Sequence, residues 1–149
     1  MRRKTPITTS GAFRAYRLAA VAVALTSWAA QAQSGLLTKG TDLPPITLSA
    51  GQPLAAAPYE LQAGKYYRLT IKCDGSDELA VSGAEFFHNM WINEIEIEDV
   101  AIKPIGLDSI SCEGESETEI SFILIRPGTF TLRIPGTTGE TQAATFHVK

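Results

Sequence analysis

The sequence contains few of the residues on which enzyme active sites and metal centres depend. Among its 149 residues there are only two histidines, two cysteines and two methionines. It has no G-x-S-x-G, H-E-x-x-H or glycine-rich phosphate-loop pattern, so a nucleophile–histidine pair, a zinc protease site and a nucleotide site all lack their usual residues. From these absences the sequence predicts a protein that is not an enzyme.

A long apolar run is also missing. The apolar stretch from Leu18 to Leu25 has eight residues, whereas about 20 are needed to cross a bilayer. A basic leader without acidic residues precedes it, and Ala30-Gln31-Ala32 follows with the small-residue spacing that signal peptidase accepts. The pattern predicts a cleavable secretion signal over residues 1–32, with an uncleaved anchor as the alternative. The expected location is the bacterial periplasm, with no membrane span after cleavage.

The predicted mature chain is strongly acidic. The leader carries five of the 13 basic residues and none of the 16 acidic ones, which leaves a formal charge of −8 on residues 33–149. Phosphate backbones and anionic membranes attract Lys and Arg clusters, so neither nucleic acid nor a membrane surface is the expected partner. The charge suits an unidentified periplasmic protein partner with a basic surface, or a cation, and it equally suits plain solubility.

Residues 33–44 are predicted to be a linker and residues 45–149 a single domain. Short segments of that domain alternate between apolar and polar side chains with a period of two, which is typical of half-buried strands. These segments are residues 45–49, 58–62, 67–72, 94–98, 119–124, 129–134 and 144–148. One short helix is expected near residues 84–89. About seven or eight strands with no long helix predict an all-β sandwich or barrel.

Several motifs resemble those of the cupredoxin family over about residues 55–149. The stretch from Leu61 to Ile71 is similar to the family's L-x-A-G-x-x-Y-x-L-x-I strand, and Asp74-Gly75-Ser76 resembles the turn that follows it. The segment Ala84 to Phe87 is similar to P-E-F-F, and the stretch from Glu119 to Phe130 resembles E-x-S-F-x-x-x-x-P-G-T-Y. The resemblance implies a Greek-key β-sandwich.

The resemblance also implies a type 1 copper site, but this sequence lacks the ligands. Such a site needs two imidazoles, a thiolate and a weak axial ligand. The positions that correspond to the first His, the Cys, the second His and the axial Met carry Leu79, Ile134, Thr137 and Gln142. Gln can serve as an axial ligand, but Leu and Ile cannot bind a metal. We therefore expect no standard blue-copper centre and no cofactor, with copper at another site as the open alternative.

Cys73 and Cys112 are the only cysteines, and both belong to the predicted exported domain. Two cysteines in an oxidising compartment usually pair. In cupredoxin topology the strand that ends at Cys73 is an antiparallel neighbour of the strand that follows Cys112, so a structural disulfide is predicted. The alternative is a pair of thiols that binds Cu(I) or exchanges electrons.

His88 and Met90 are weak candidates for a metal site. An imidazole and a thioether two residues apart would hold Cu(I) only with further ligands. The alternative is that this aromatic segment plugs one end of the sandwich. His147, between Phe146 and Val148, is expected at the surface.

The densest acidic run alternates along a predicted strand. Glu94, Glu96 and Glu98 would share one face, either as a solvated surface that deters edge aggregation or as a site for a cation or a basic partner.

The function predicted from the sequence is an exported, non-catalytic cupredoxin-like binding or accessory module without a type 1 copper site. The alternatives are a periplasmic copper carrier that uses His88, Met90 and a cysteine, and an accessory domain of a metal-uptake system.

Overall fold

The computed structural model describes residues 39–149; the predicted signal segment and most of the predicted linker lie outside them. The described residues form eleven strands, a five-residue helix and a 3-10 turn at Glu140–Gln142. The strands and helix in chain order are β1 (Thr41–Asp42), β2 (Ile46–Leu48), β3 (Tyr59–Leu61), β4 (Tyr66–Asp74), β5 (Leu79–Ser82), α1 (Ala84–His88), β6 (Met90–Ile97), β7 (Val100–Ile102), β8 (Ser109–Cys112), β9 (Glu115–Leu124), β10 (Gly128–Arg133) and β11 (Ala143–Val148).

The strands form two sheets that enclose one apolar core. The first sheet has the order β1-β4-β9-β6-β7. Strand β2 also pairs with β4, on the same edge as β1 and further along the strand. The second sheet has the order β3-β11-β10-β5-β8. Most neighbours are antiparallel, but β1 and β2 run parallel to β4, and β3 runs parallel to β11. The predicted all-β sandwich is confirmed.

All seven alternating segments of the sequence contain a strand, and the predicted helix begins at Ala84. The strand count is nevertheless higher than the predicted seven or eight. The additional strands are β1, β5, β7 and β8, which have only two to four residues each. The segments around these strands have too few alternating apolar residues to set a period, whereas the three-residue strands β2 and β3 lie within alternating segments of five residues. Strand β1 lies within the segment 33–44 that the sequence analysis treats as a linker.

Aromatic side chains from both sheets and from α1 fill the centre of the core. Phe86 of α1 stacks on Phe146 with ring centroids 4.0 Å apart, and it meets Phe122 edge to face at 6.1 Å. Helix α1 is too short to be stable by itself, so its position depends on this buried contact. Gly83 lets the helix begin directly against β10, since a Cβ there would lie 2.5 Å from the carbonyl oxygen of Thr131.

A β-bulge in β6 explains why its apolar residues do not alternate strictly. The register with β9 shifts between Ile92 and Glu94, so that Ile92 and Ile95 are both buried although they are three residues apart. Asn93 is the extra residue, and its amide donates hydrogen bonds to the hydroxyls of Ser121 and Tyr66. Within the described part of the chain, no helix has the length and apolar character needed to cross a membrane.

Candidate functional site

The four positions that correspond to copper ligands in the cupredoxin resemblance lie together at one end of the sandwich. Leu79, Ile134, Thr137 and Gln142 all line a single cavity of about 290 Å³. Leu79 is the first residue of β5, and the other three belong to the connection between β10 and β11. The remaining wall comes from residues 49–52, which follow β2, and from Asp77 and Thr141.

The β10–β11 connection is held closed by hydrogen bonds among these same residues. The N–H of Ile134 donates to the carbonyl oxygen of Gln142 at 3.1 Å. The N–H and the hydroxyl of Thr137 both donate to the carbonyl oxygen of Ile134, at 3.3 and 2.6 Å. Backbone groups and the Thr137 hydroxyl therefore order this wall of the cavity.

The opposite wall is tied to the turn after β4. The N–H of Ala50 donates to the hydroxyl of Ser76 at 2.8 Å. Hydrogen bonds from Ser49 and Ser76 hold the pKa of the Asp74 carboxyl below its usual range. The predicted Asp74-Gly75-Ser76 turn thus helps to position the segment that lines the cavity.

The side chains of this cavity do not fit a type 1 copper ion. Leu79 and Ile134 are half-buried and pack against the hydrophobic core, and neither carries a donor atom. Thr137 and Gln142 offer only a hydroxyl and an amide, and Asp77 is the one carboxylate in the wall. A thiolate and imidazoles are what such a site requires. Nowhere in residues 39–149 do three or more His, Cys, Asp or Glu side chains form a group that would hold a metal ion.

The predicted disulfide is present. Cys73 of β4 is bonded to Cys112 of β8, with Cα atoms 6.3 Å apart and a sequence separation of 39. Strand β4 pairs with β9 as expected, and Cys73 lies opposite Ser116. Cys112, however, belongs to a strand of the second sheet and not to a loop, so the bond connects the two sheets. In this bonded form neither sulfur is a thiolate that would bind Cu(I).

His88 and Met90 lie in different environments. The imidazole of His88 is mostly exposed, and its Nε2 lies 2.7 Å from a carboxylate oxygen of Asp108. The Met90 thioether is buried in the core. The aromatic segment does plug the sandwich through Phe86 and Phe87, whereas the side chain of Trp91 remains about half exposed.

The acidic strand is partly neutralised by basic neighbours. Glu94 and Glu96 share the outer face of β6, but Glu98 does not join them, because it lies in the β6–β7 turn with a φ of 52°. Lys103 lies 3.7 Å from Glu94, and across the sheet Lys72 contacts Glu117 at 2.9 Å. Within the described chain, the ion pairs formed by this surface do not include Glu96, Glu98 or Asp99. His147 is half-buried on β11 beside the hydroxyl of Thr129.

Two larger cavities flank a segment that the sequence analysis did not single out. Residues 53–58 (PLAAAP) separate a cavity of about 600 Å³ from an apolar one of about 630 Å³. The second is lined by several prolines and by Tyr59, whose hydroxyl donates to the carbonyl oxygen of Pro44 at 3.0 Å. Burial raises the pKa of Tyr59 to about 12. A short apolar run between two prolines was the available signal, since such a run forms neither a strand nor a helix.

Comparison with known proteins identifies the fold. No protein-family model and no curated protein matches the sequence. A variant of the multicopper oxidase McoA from Aquifex aeolicus is similar in structure with a TM-score of 0.54 and 12% identity, over 76% of this chain and 30% of that one. Copper nitrite reductase from Nitrosomonas europaea is similar with a TM-score of 0.50 and 12% identity, over 64% and 33%. The described domain has a cupredoxin-like fold.

These likenesses overturn one prediction and limit what may be carried over. The prediction that the protein is not an enzyme is contradicted, because the solved structures similar to this chain include a multicopper oxidase and a copper nitrite reductase, which are enzymes. The chain spans about a third of the length of those proteins. At this identity the likeness concerns the fold alone, so it assigns no activity to the cavity.

Proposed function

We propose that this domain is an exported cupredoxin-like binding or accessory module that works without a type 1 copper centre. One observation carries the proposal: the four positions that correspond to copper ligands meet in one cavity and present two hydrocarbon side chains, a hydroxyl and an amide. The β10–β11 connection supports it, because backbone hydrogen bonds and the Thr137 hydroxyl hold the connection in its shape.

The redox chemistry of the cysteines agrees with an exported location. A disulfide between strands of different sheets persists in an oxidising compartment such as the periplasm. Glu96 and Glu98 form no ion pair within the described residues, so the outer face of β6 and the turn after it are the surface on which we place a basic partner.

A copper titration tests the proposal. The full chain is exported, purified in oxidised form from the periplasm, and titrated first with Cu(II) and then with Cu(I) against a competing chelator. We expect no thiolate-to-copper charge-transfer band and no stoichiometric binding tighter than micromolar. A thiolate-to-copper charge-transfer band in the unmodified protein would contradict the proposal.

The same titration addresses the copper-carrier alternative through matched variants. Tight Cu(I) binding that is lost in His88→Ala, but kept in His147→Ala, would establish a carrier and displace the binding-module proposal. His147 is the appropriate control because it is the other imidazole of the chain and lies on β11, whereas His88 is the last residue of α1.

A further inference from the structure

Strand β7 leaves one edge of the first sheet open. It is the last strand of that sheet, and within residues 39–149 it pairs only with β6. Ile97 and Val100 face each other across the two-residue turn, and Glu96 faces Ala101. Because hydrogen-bonded and non-hydrogen-bonded pairs alternate along an antiparallel ladder, the N–H and C=O of Ala101 point away from β6, to the open edge.

The residues around this edge are apolar and exposed. Val100 is 59% exposed and Ile102 is 44% exposed, while Ile105, in the loop that follows, is fully exposed. Val100 and Ile102 are on the same face of the sheet as Ile95, which is buried in the core. The β6–β7 hairpin therefore extends beyond the second sheet with part of its core-side face uncovered. Edges of this kind are templates for pairing with another strand.

The sequence of the edge is complementary to itself when read in the opposite direction. We propose that the β7 edge pairs antiparallel with β7 of a second copy of this chain, about a two-fold axis at Ala101. In this register Asp99 lies opposite Lys103 of the second copy, and Val100 lies opposite Ile102. Acid thus meets base and β-branched meets β-branched on either side of the Ala101–Ala101 pair, and the two-fold axis repeats each of these pairs.

The ends of the strand restrict the pairing to this register. Pro104 follows Lys103 and has no N–H for a longer ladder, and the turn at Glu98 and Asp99 closes the other end. A shift by two residues removes both Asp99–Lys103 pairs, and a shift by one places polar side chains opposite the apolar face. A basic strand of another protein would neutralise the acidic turn, but it would place no carboxylate opposite Lys103, whose contact within its own chain is with Glu94 at 3.7 Å.

The contact is small, so we expect a weak dimer. Stable interfaces bury about 1,200 Å² or more in total, and a five-residue edge supplies less. Dissociation constants in the range of about 0.1–1 mM are therefore expected. This inference concerns the backbone edge of β7, and it depends neither on a copper-free cavity nor on the basic partner proposed for Glu96 and Glu98.

Sedimentation equilibrium of the full exported chain, from about 10 μM to 1 mM, tests the inference. We expect concentration-dependent dimers that weaken at least several-fold in Asp99→Lys and in Lys103→Asp, and that return in the double variant D99K/K103D. The matched control Glu78→Lys changes the net charge as Asp99→Lys does, but it lies on an exposed residue away from β7. It should leave the dimer intact or strengthen it, because it lowers the overall repulsion.

A trapped dimer provides the second measurement. Residues opposite each other in a hydrogen-bonded pair have Cα atoms about 5.5 Å apart, which a disulfide can span. Ala101→Cys should therefore form a disulfide dimer during mild oxidation much faster than Glu78→Cys does. A chain that stays monomeric to 1 mM, or a dimer that both single charge variants leave unchanged, would overturn the inference. Equal rates of disulfide formation in the two cysteine variants would also overturn the inference. Each of these results would mean that the β7 edge pairs with a different protein or with no partner.

Discussion

Leu79 lies directly opposite Cys112 where β5 pairs with β8, and Cys112 is in turn bonded to Cys73 of the other sheet. The crosslink therefore fixes the strand that carries the first wall residue of the cavity. Because the bond connects sheets and not neighbouring strands of one sheet, its loss would loosen the cavity end of the sandwich more than the opposite end.

The disulfide is expected to supply a large part of the domain's stability. In the chain-entropy account, closing a loop of 39 residues lowers the entropy of the unfolded chain and stabilises the fold by about 4 kcal/mol. Cys73→Ser/Cys112→Ser should lower the free energy of unfolding by about that amount, as measured by urea denaturation. The reduced wild-type protein is the control and should match the double variant. An unchanged midpoint in both would contradict the prediction.

Restoring the donor atoms tests whether the cavity corresponds to a copper position. The triple variant Leu79→His/Ile134→Cys/Thr137→His, with Gln142 kept as the axial residue, introduces two imidazoles and a thiolate at one cavity. We expect a thiolate-to-Cu(II) charge-transfer band in its visible spectrum. The matched control has Ser in place of Cys at residue 134 and should show no such band. If copper binds the triple variant but the band is absent, the four positions do not have the geometry of a type 1 site.

The long strands could be predicted because each has enough residues to show the alternation of apolar and polar side chains. The turn motifs could be predicted because each has a fixed order of residue types. The resemblance to cupredoxin motifs pointed to the four cavity residues, and the structure does bring them together. The hairpin between β6 and β7 could not be predicted well. Glu98 continues the alternation of β6 in the sequence, yet the bulge at Asn93 and the turn depend on contacts with β9 that no local pattern records.

The close approach of α1 to β10 predicts that Gly83 tolerates no side chain. A Cβ at this position would lie 2.5 Å from the carbonyl oxygen of Thr131 and 2.7 Å from Cδ2 of Leu132. Since a backbone oxygen cannot move aside as a side chain can, Gly83→Ala should destabilise the domain by about 1–3 kcal/mol in thermal or urea unfolding. Gly106→Ala is the control, because nothing lies within 4 Å of its added Cβ. Equal losses from the two variants would refute the steric explanation.

The β6–β7 turn holds the one non-glycine residue with positive φ among residues 39–149. Glu98 has a φ of 52°, a conformation that costs an L-residue roughly 1–2 kcal/mol. Glu98→Gly should therefore raise the free energy of unfolding by about 0.5 kcal/mol, the relief of strain being partly offset by the greater flexibility of glycine in the unfolded chain. Asp99→Gly, at the neighbouring turn position with negative φ, should lower it. The reverse order of the two variants would show that the turn is not strained at Glu98.

Tyr59 predicts how stability depends on alkaline pH. Burial raises its pKa to about 12 in the folded chain, whereas an unfolded tyrosine titrates near about 10. Below pH 10 Tyr59 keeps its proton in both the folded and the unfolded chain, so its ionisation does not lower the free energy of unfolding. As pH rises from 10 to 12, the unfolded state loses its proton first, so the free energy of unfolding falls by about 2–3 kcal/mol from this residue.

Tyr59→Phe separates that effect from the general alkaline loss. The variant should be about 1 kcal/mol less stable at neutral pH, because it lacks the hydrogen bond to the carbonyl oxygen of Pro44. Its stability should then fall less between pH 10 and 12, so that the two stability curves cross in this range and the variant is the more stable protein at pH 12. Burial raises the pKa of Tyr67 as well, and adding Tyr67→Phe should flatten the profile further. Parallel pH profiles for wild type and Tyr59→Phe, measured by urea unfolding at each pH, would contradict the assignment to Tyr59.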